Sequence, residues 1–159
     1  MTDKNSYTVE RSVTIGASPA EVYEQVADFH NWRKWSPWED IDPAMNRAYA
    51  GTDSGTGAVY TWSGNRKAGQ GRMEIVAANQ PSSVRIDLQF EKPWKARSDT
   101  TFTILPDGSG SRVSWTMIGR KSLLTRMMSI VKSMDSLVGP DFEKGLSRLK
   151  ATAEGASTS

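Results

Sequence analysis

Residues 7–27 read Tyr7-Thr8-Val9-Glu10-Arg11-Ser12-Val13-Thr14-Ile15, then Gly16-Ala17-Ser18-Pro19-Ala20-Glu21, then Val22-Tyr23-Glu24-Gln25-Val26-Ala27. In the first part Tyr7, Val9, Arg11, Val13 and Ile15 alternate with Thr8, Glu10, Ser12 and Thr14. A period of two predicts a strand with one buried face. Ser18-Pro19-Ala20-Glu21 then has the chemistry of a capping box. Ser18 can accept from the first turn, Pro19 suits the first helical position, and Glu21 can reach back to the cap. Val22, Tyr23, Val26 and Ala27 follow at helical spacing. A second short helix is expected from Phe29 to Trp35, stopped by Pro37. One strand followed at once by helices excludes an up-and-down barrel, which has no helices at that point.

Downstream the texture becomes β. Weak alternation marks Met45–Ala50, and Gly51 to Gly57 reads as a turn rather than a phosphate cradle. Ala58–Ser63 and Arg72–Ala78 are the next strands, with Tyr60, Trp62, Met73 and Ile75 on their apolar parity. Val84, Ile86, Leu88 and Phe90 alternate with Arg85, Asp87, Gln89 and Glu91, the cleanest half-buried strand in the chain. Thr100, Phe102 and Ile104 mark another, Pro106 to Gly110 a hairpin loop, and Val113, Trp115 and Met117 the last strand. From Ser122 the period is helical. Leu123, Met127, Ile130, Met134 and Leu137 form one stripe, and Phe142, Leu146, Leu149 and Ala153 form another. Gly139-Pro140 lies between them, where a kink or break is expected. The expected class is therefore α+β: a curved antiparallel sheet of about seven strands wrapped around a long C-terminal helix, with two short helices after strand one. The sheet's apolar face and the helix's stripe must cover each other, and such a grip can leave a cavity.

The chain has 159 residues, a length that suits one domain, expected over 7–154 with 1–6 and 155–159 as flexible termini. Its 20 Lys and Arg against 18 Asp and Glu give +2, with no run of five like charges, so nucleic acid is not indicated. Cys is 0 and His is 1, which excludes disulfides, thiolate nucleophiles and His- or Cys-rich metal sites. The first dozen residues have no apolar core of a signal peptide, and no stretch approaches a membrane span. A cytoplasmic location without membrane insertion is expected, with neither metal nor cofactor, as monomer or homodimer.

Motifs for chemistry are few. Gly119-Arg120-Lys121-Ser122 lacks the earlier glycine of a P-loop, and no Gly-x-Ser-x-Gly elbow occurs. His30 stands beside Asp28 and Asn31 and reads as a surface or capping residue. Glu74, set among apolar residues, and Asp40, after a Trp-rich turn, are the candidate acids or bases. A carboxyl desolvated at a cavity edge could move protons. Simple alternation puts Glu74 outward, and Arg97 with Asp99 on the same outer face. The stronger signal is 6 Trp and 7 Met. Rigid indoles and adaptable thioethers suit the wall of a roomy apolar pocket, and equally a packed core.

These residues also carry a resemblance. Trp35-Ser36-Pro37-Trp38-Glu39, Gly57 to Asn65, Gly71-Arg72-Met73-Glu74-Ile75, Phe90-Glu91-Lys92-Pro93, Arg112 to Met117 and Met134-Asp135 with Gly139 to Leu146 are the local marks. Over about residues 7–154 the chain resembles the START-like helix-grip superfamily (SRPBCC), within it the bacterial polyketide cyclase/dehydrase-like proteins. It departs at Pro140, where a helix former is expected, and at Trp94, where Phe is usual. The resemblance implies a small hydrophobic ligand (lipid, quinone or polyketide-like) held between sheet and last helix. Tyr60, Trp62, Met73, Phe90, Phe102, Trp115 and Met117 would form the wall, Met127 and Met134 the helix side, and Trp35 and Trp38 the rim. It implies two alternatives as well: a cyclase or dehydratase using the same cavity, which needs a polar group inside it, and a protein-binding module resembling activators of a heat-shock-protein ATPase, which needs an exposed apolar patch.

Overall fold

A computed structural model describes residues 6–36, 44–65, 69–92, 96–120 and 134–157. Seven strands form one antiparallel sheet: β1 Ser6–Ile15, β2 Asn46–Gly51, β3 Ala58–Ser63, β4 Gln70–Asn79, β5 Ser83–Lys92, β6 Ala96–Asp107 and β7 Gly110–Arg120. Their order is β1-β7-β6-β5-β4-β3-β2, so the first strand closes against the last and β2 is the opposite edge. Helix α1, Pro19–Ala27, and a 3-10 helix, Phe29–Lys34, follow β1. The C-terminal helix α2, Met134–Ser157, packs chiefly on β1. This is the α+β helix-grip architecture the alternation predicts, an open curved sheet with a helix across one face.

The curvature has a local source. The β4–β5 register shifts between Gln70 and Gly71 and again between Ile75 and Ala77. An extra residue bends and twists a strand. At the second shift Val76 is the extra residue, 42% exposed, and the inner position passes from Ala77 to Ala78, which pairs with Val84. The hairpin between β6 and β7 is tighter than the five-residue loop expected. Asp107 and Gly110 still pair, and Gly108 turns the chain at φ +59°.

Helix α1 begins with the capping box: the Glu21 amide donates to Ser18 Oγ at 3.3 Å, and the Ser18 amide to Glu21 Oε2 at 3.3 Å. Its end is closed by groups from elsewhere. The last four carbonyls of a helix lack partners within it. Here Asn31 Nδ2 donates to the Glu24 carbonyl (3.0 Å) and Trp35 Nε1 to that of Gln25 (3.0 Å). Trp32 Nε1 donates to that of Val26 (2.8 Å), and the Gly55 amide to that of Ala27 (2.9 Å). Two of the three clustered tryptophans are thus helix caps.

Trp35 is accordingly not a rim residue. It is fully buried, in edge contact with Phe102 and Trp115 at centroid separations of 5.8 and 5.7 Å. Trp115 stacks flat on Phe142 of α2, 4.0 Å and 6° apart. Phe142, Leu146, Leu149 and Ala153 are all buried, as the stripe predicts. Of the kink or break expected at Pro140, the break does not occur: helix α2 is continuous through it, and Pro140 is exposed. The single missing amide is offset by the buried stripe that follows it. Residues 155–157, expected in a frayed tail, continue the helix. Nearby, Glu154 accepts from the Gly16 amide at 2.8 Å and pairs with Lys150, tying the end of α2 to the β1–α1 loop.

Candidate functional site

The register sorts the sheet's inner face into rows. Trp62, Gly71 and Phe90 share one row. Tyr60, Met73, Leu88, Ser98, Gly119 and Tyr7 share the next. Ile75, Ile86, Thr100, Met117 and Val9 form a third. The strands thereby gather Tyr60, Trp62, Met73, Phe90, Phe102, Trp115 and Met117 on one side, as their parities require.

This face has two regions. Around Phe102 and Trp115 it is sealed by Trp32, Trp35 and Phe142. Toward β2 and β3 the large groups are only half-buried: Tyr49, Trp62, Met73 and Phe90. Their rings form a chain. His30 stacks on Tyr49 at 4.0 Å, Tyr49 lies 5.4 Å from Tyr60, Tyr60 6.0 Å from Trp62, and Trp62 5.6 Å from Phe90. Gly71 makes this wall geometrically feasible. A Cβ there would stand 2.4 Å from the Trp62 ring and 2.6 Å from the Gln89 carbonyl, so only glycine lets the indole lie on the sheet.

Trp38, Asp40 and Met127 lie outside the described residues. Met134 opens the described part of α2, but its side chain is outside them too. Glu74 is on the opposite face from the wall: it pairs with Val59 in register and receives a hydrogen bond from Arg72 at 2.7 Å. His30 lies at the surface, tied to Asp28, the cap of the 3-10 helix, through its backbone amide (2.9 Å) and Nδ1 (2.7 Å).

The outer face carries a lattice of charge. Asp87 and Asp99 stand opposite one another in register, and each is neutralised by a different arginine. Arg97 reaches Asp87 through two bonds of 2.9 and 3.0 Å, and Arg85 reaches Asp99 at 3.4 Å. Arg97 and Asp99 share the outer face as expected, but their ion-pair partners lie on β5. Burial alone would push the Asp87 carboxyl up. The bonds from Arg97 and Gln89, with the charges of Arg97 and Arg72, outweigh it and hold that carboxyl below the usual range.

Sequence reasoning put Tyr7 and Thr100 on the inner parity of their strands but named neither them nor Ser98, the other hydroxyl beside them, as site residues. Ser98 and Thr100 are buried, at the same parity as Phe102 and Ile104, so the outward reading of Arg97 and Asp99 already implied them. Tyr7 lies across Gly119, where a Cβ would come within 2.5 Å of its hydroxyl oxygen. Burial raises the Tyr7 pKa above that of a free phenol, keeping it neutral. Elsewhere, a cleft of about 210 Å³ lies at the seam of β1 and α2, lined by Arg11, Ser12 and Val13 from β1 and Glu143, Leu146, Ser147 and Lys150 from α2. Among the described residues no group of three His, Asp or Glu converges on a metal position, and no helix is long and apolar enough to cross a membrane.

Fold and face together define the START-like helix-grip class. Residues 6–154 match the family described as polyketide cyclase / dehydrase and lipid transport, and the chain belongs to that family. No protein of curated function matches it in sequence. Solved structures share its fold at low identity. Norcoclaurine synthase of Thalictrum flavum, a point mutant in complex with a transition-state analogue, has TM-score 0.71 and 8% identity over 99% of each chain. A protein of Chromobacterium violaceum has TM-score 0.65 and 16% identity, covering 96% of this chain and 99% of that one. A protein of Thermus thermophilus has TM-score 0.63 and 19% identity, covering 95% and 99%.

Proposed function

We propose that the chain binds a small hydrophobic molecule, lipid-, quinone- or polyketide-like, between the inner face of its sheet and its C-terminal helix. One observation carries this reading: Tyr49, Trp62, Met73 and Phe90 stay half-buried together toward β2 and β3, while the groups around Phe102 and Trp115 are sealed. Together with Tyr60, and with Phe102, Trp115 and Met117 deeper in, they form a wall that a ligand would cover. Met127 and Met134 are proposed for the helix side, and Trp38 for the rim. The family description, which includes lipid transport, supports the same reading. In this reading the protein is cytoplasmic, a monomer or homodimer, and uses neither metal, cofactor nor nucleic acid.

The magnitude is adequate. At about 25 cal/mol per Å², burying roughly 300 Å² of ligand gives about 7.5 kcal/mol before ordering costs. Binding is favoured over acid–base turnover because, among the described residues, the inner face of the strands carries no carboxylate and Glu74 points away. Among the described residues the exposed large apolar side chains, Val76, Leu105 and Ile118, stand singly on three different strands and form no docking patch.

The test is a titration with fatty acids, quinones and aromatic polyketides, followed by indole emission. Saturable binding in the micromolar range is expected, with most of the response lost in Trp62→Ala. Binding no tighter than millimolar across the panel refutes the reading.

A further inference from the structure

Thr100 sits mid-sheet on the inner face, between Ile86 of β5 and Met117 of β7. It is 4% exposed, and its Oγ1 has no hydrogen-bond partner among the described residues. A buried hydroxyl without a partner is destabilising, and valine would fill the same shape without that cost. Two more hydroxyls share the patch. Ser98 is two residues away on the same face, and its cross-strand partner is Gly119, over which the Tyr7 hydroxyl lies. An oxygen-rich spot therefore interrupts a face otherwise built of Ile, Met, Leu and aromatic rings.

Among the described residues, the cations on this face belong to the two edge strands. Arg11 of β1 lies two strands away, with its guanidinium held by the Glu10 carbonyl and facing Glu143. Arg47 of β2 lies four strands away, roughly 19 Å across the sheet at the usual strand spacing and further along it, beside Trp62. A carboxylate placed at Thr100 would be buried with no counter-charge beside it among the described residues, which is costly. A neutral oxygen is suited to the spot, since a threonine hydroxyl can donate to a carbonyl or accept from an alcohol.

We propose that Thr100, flanked by Ser98 and Tyr7, is the polar anchor of the ligand site. It selects an apolar ligand carrying one neutral oxygen (a ketone, quinone or alcohol) over an ionised carboxylic acid. This rests on the hydrophobic-ligand reading above and adds the ligand's chemical class.

Naphthalene, acetylnaphthalene and naphthoate are matched probes, titrated by ligand-observed NMR. Wild type binds the ketone about tenfold tighter than the hydrocarbon, the size of one buried hydrogen bond, and binds naphthoate more weakly than the ketone. Thr100→Val removes the ketone preference and leaves naphthalene affinity within about twofold, while Thr100→Ser, which keeps the hydroxyl, retains the preference. A preference unchanged in Thr100→Val overturns the assignment, as does naphthoate bound as tightly as the ketone. If naphthalene binds wild type and the ketone has no advantage, the anchor falls and the hydrophobic site stands. If naphthalene does not bind at all, the hydrophobic site falls and the anchor with it.

Discussion

Phe142→Ala tests the contact on which the grip depends. Phe142 is 1% exposed and lies flat against Trp115, with centroids 4.0 Å apart. Exposing a fully buried phenylalanine gives up about 1.5–3 kcal/mol of transfer free energy. Losing the aromatic pair adds about 0.5–1.5 kcal/mol. The remaining void lies between a helix and a sheet whose positions are set by Leu146, Leu149 and Val9 around it, so it cannot collapse freely. The expected total is about 3–5 kcal/mol, the range seen for phenylalanine truncation in cores. Urea unfolding followed by indole emission and far-ultraviolet circular dichroism reads this directly. With a slope near 2 kcal/mol per molar, the midpoint should fall by about 2 M. The slope itself should not change, because the variant keeps the fold. A loss below about 1 kcal/mol at constant slope would mean that α2 is peripheral to the sheet, and the energetic reasoning would be wrong.

Asp87→Asn should alter the acid limb of stability. The folded carboxyl titrates below its unfolded value of about 4, so its stabilisation is present above that pH and is lost as pH falls through the lower, folded value. Melting temperature measured from pH 7 to pH 2 should therefore fall less steeply in the variant, and an identical limb would remove Asp87 from the account. Pro140→Lys should stabilise by roughly 1–3 kcal/mol, because it restores an amide to the interior of a helix that already runs through this exposed position. Thermal unfolding reads the change as a rise of several degrees, and an unchanged midpoint would mean that the proline costs α2 nothing.

Much of this protein was legible because much of it is local. The alternation from Val84 to Phe90 is set by strand geometry alone, and every one of those apolar residues turned inward. Ser18 and Glu21 are three residues apart, so their mutual bonds depend on no distant partner. The stripe Phe142, Leu146, Leu149 and Ala153 is a property of helical period, and its burial followed. Parity likewise put Glu74 outside and Trp62, Met73, Phe90, Trp115 and Met117 inside without knowledge of the strand order.

The tertiary structure decided what depends on partners far apart in the chain. Trp35 reads as a rim residue in sequence, because nothing local says that its indole N–H will end a helix whose carbonyl lies ten residues back. Arg97 and Asp99 are near neighbours in sequence, yet the diagonal register across β5 gives each a different partner. Alternation from Ile75 puts Ala77 inward, yet Ala77 pairs with outward Arg85 and Ala78 takes the inner place opposite Val84, because of a register shift that is a property of two strands and of neither alone. Thr100 looks like any strand threonine until β5 and β7 close over its sides and leave its hydroxyl without a partner. Sequence by itself determined which residues face the same way, because backbone periodicity is local. Only the assembled sheet and helix decided which of them meet, because hydrogen bonds, ion pairs and burial depend on distance in space rather than along the chain.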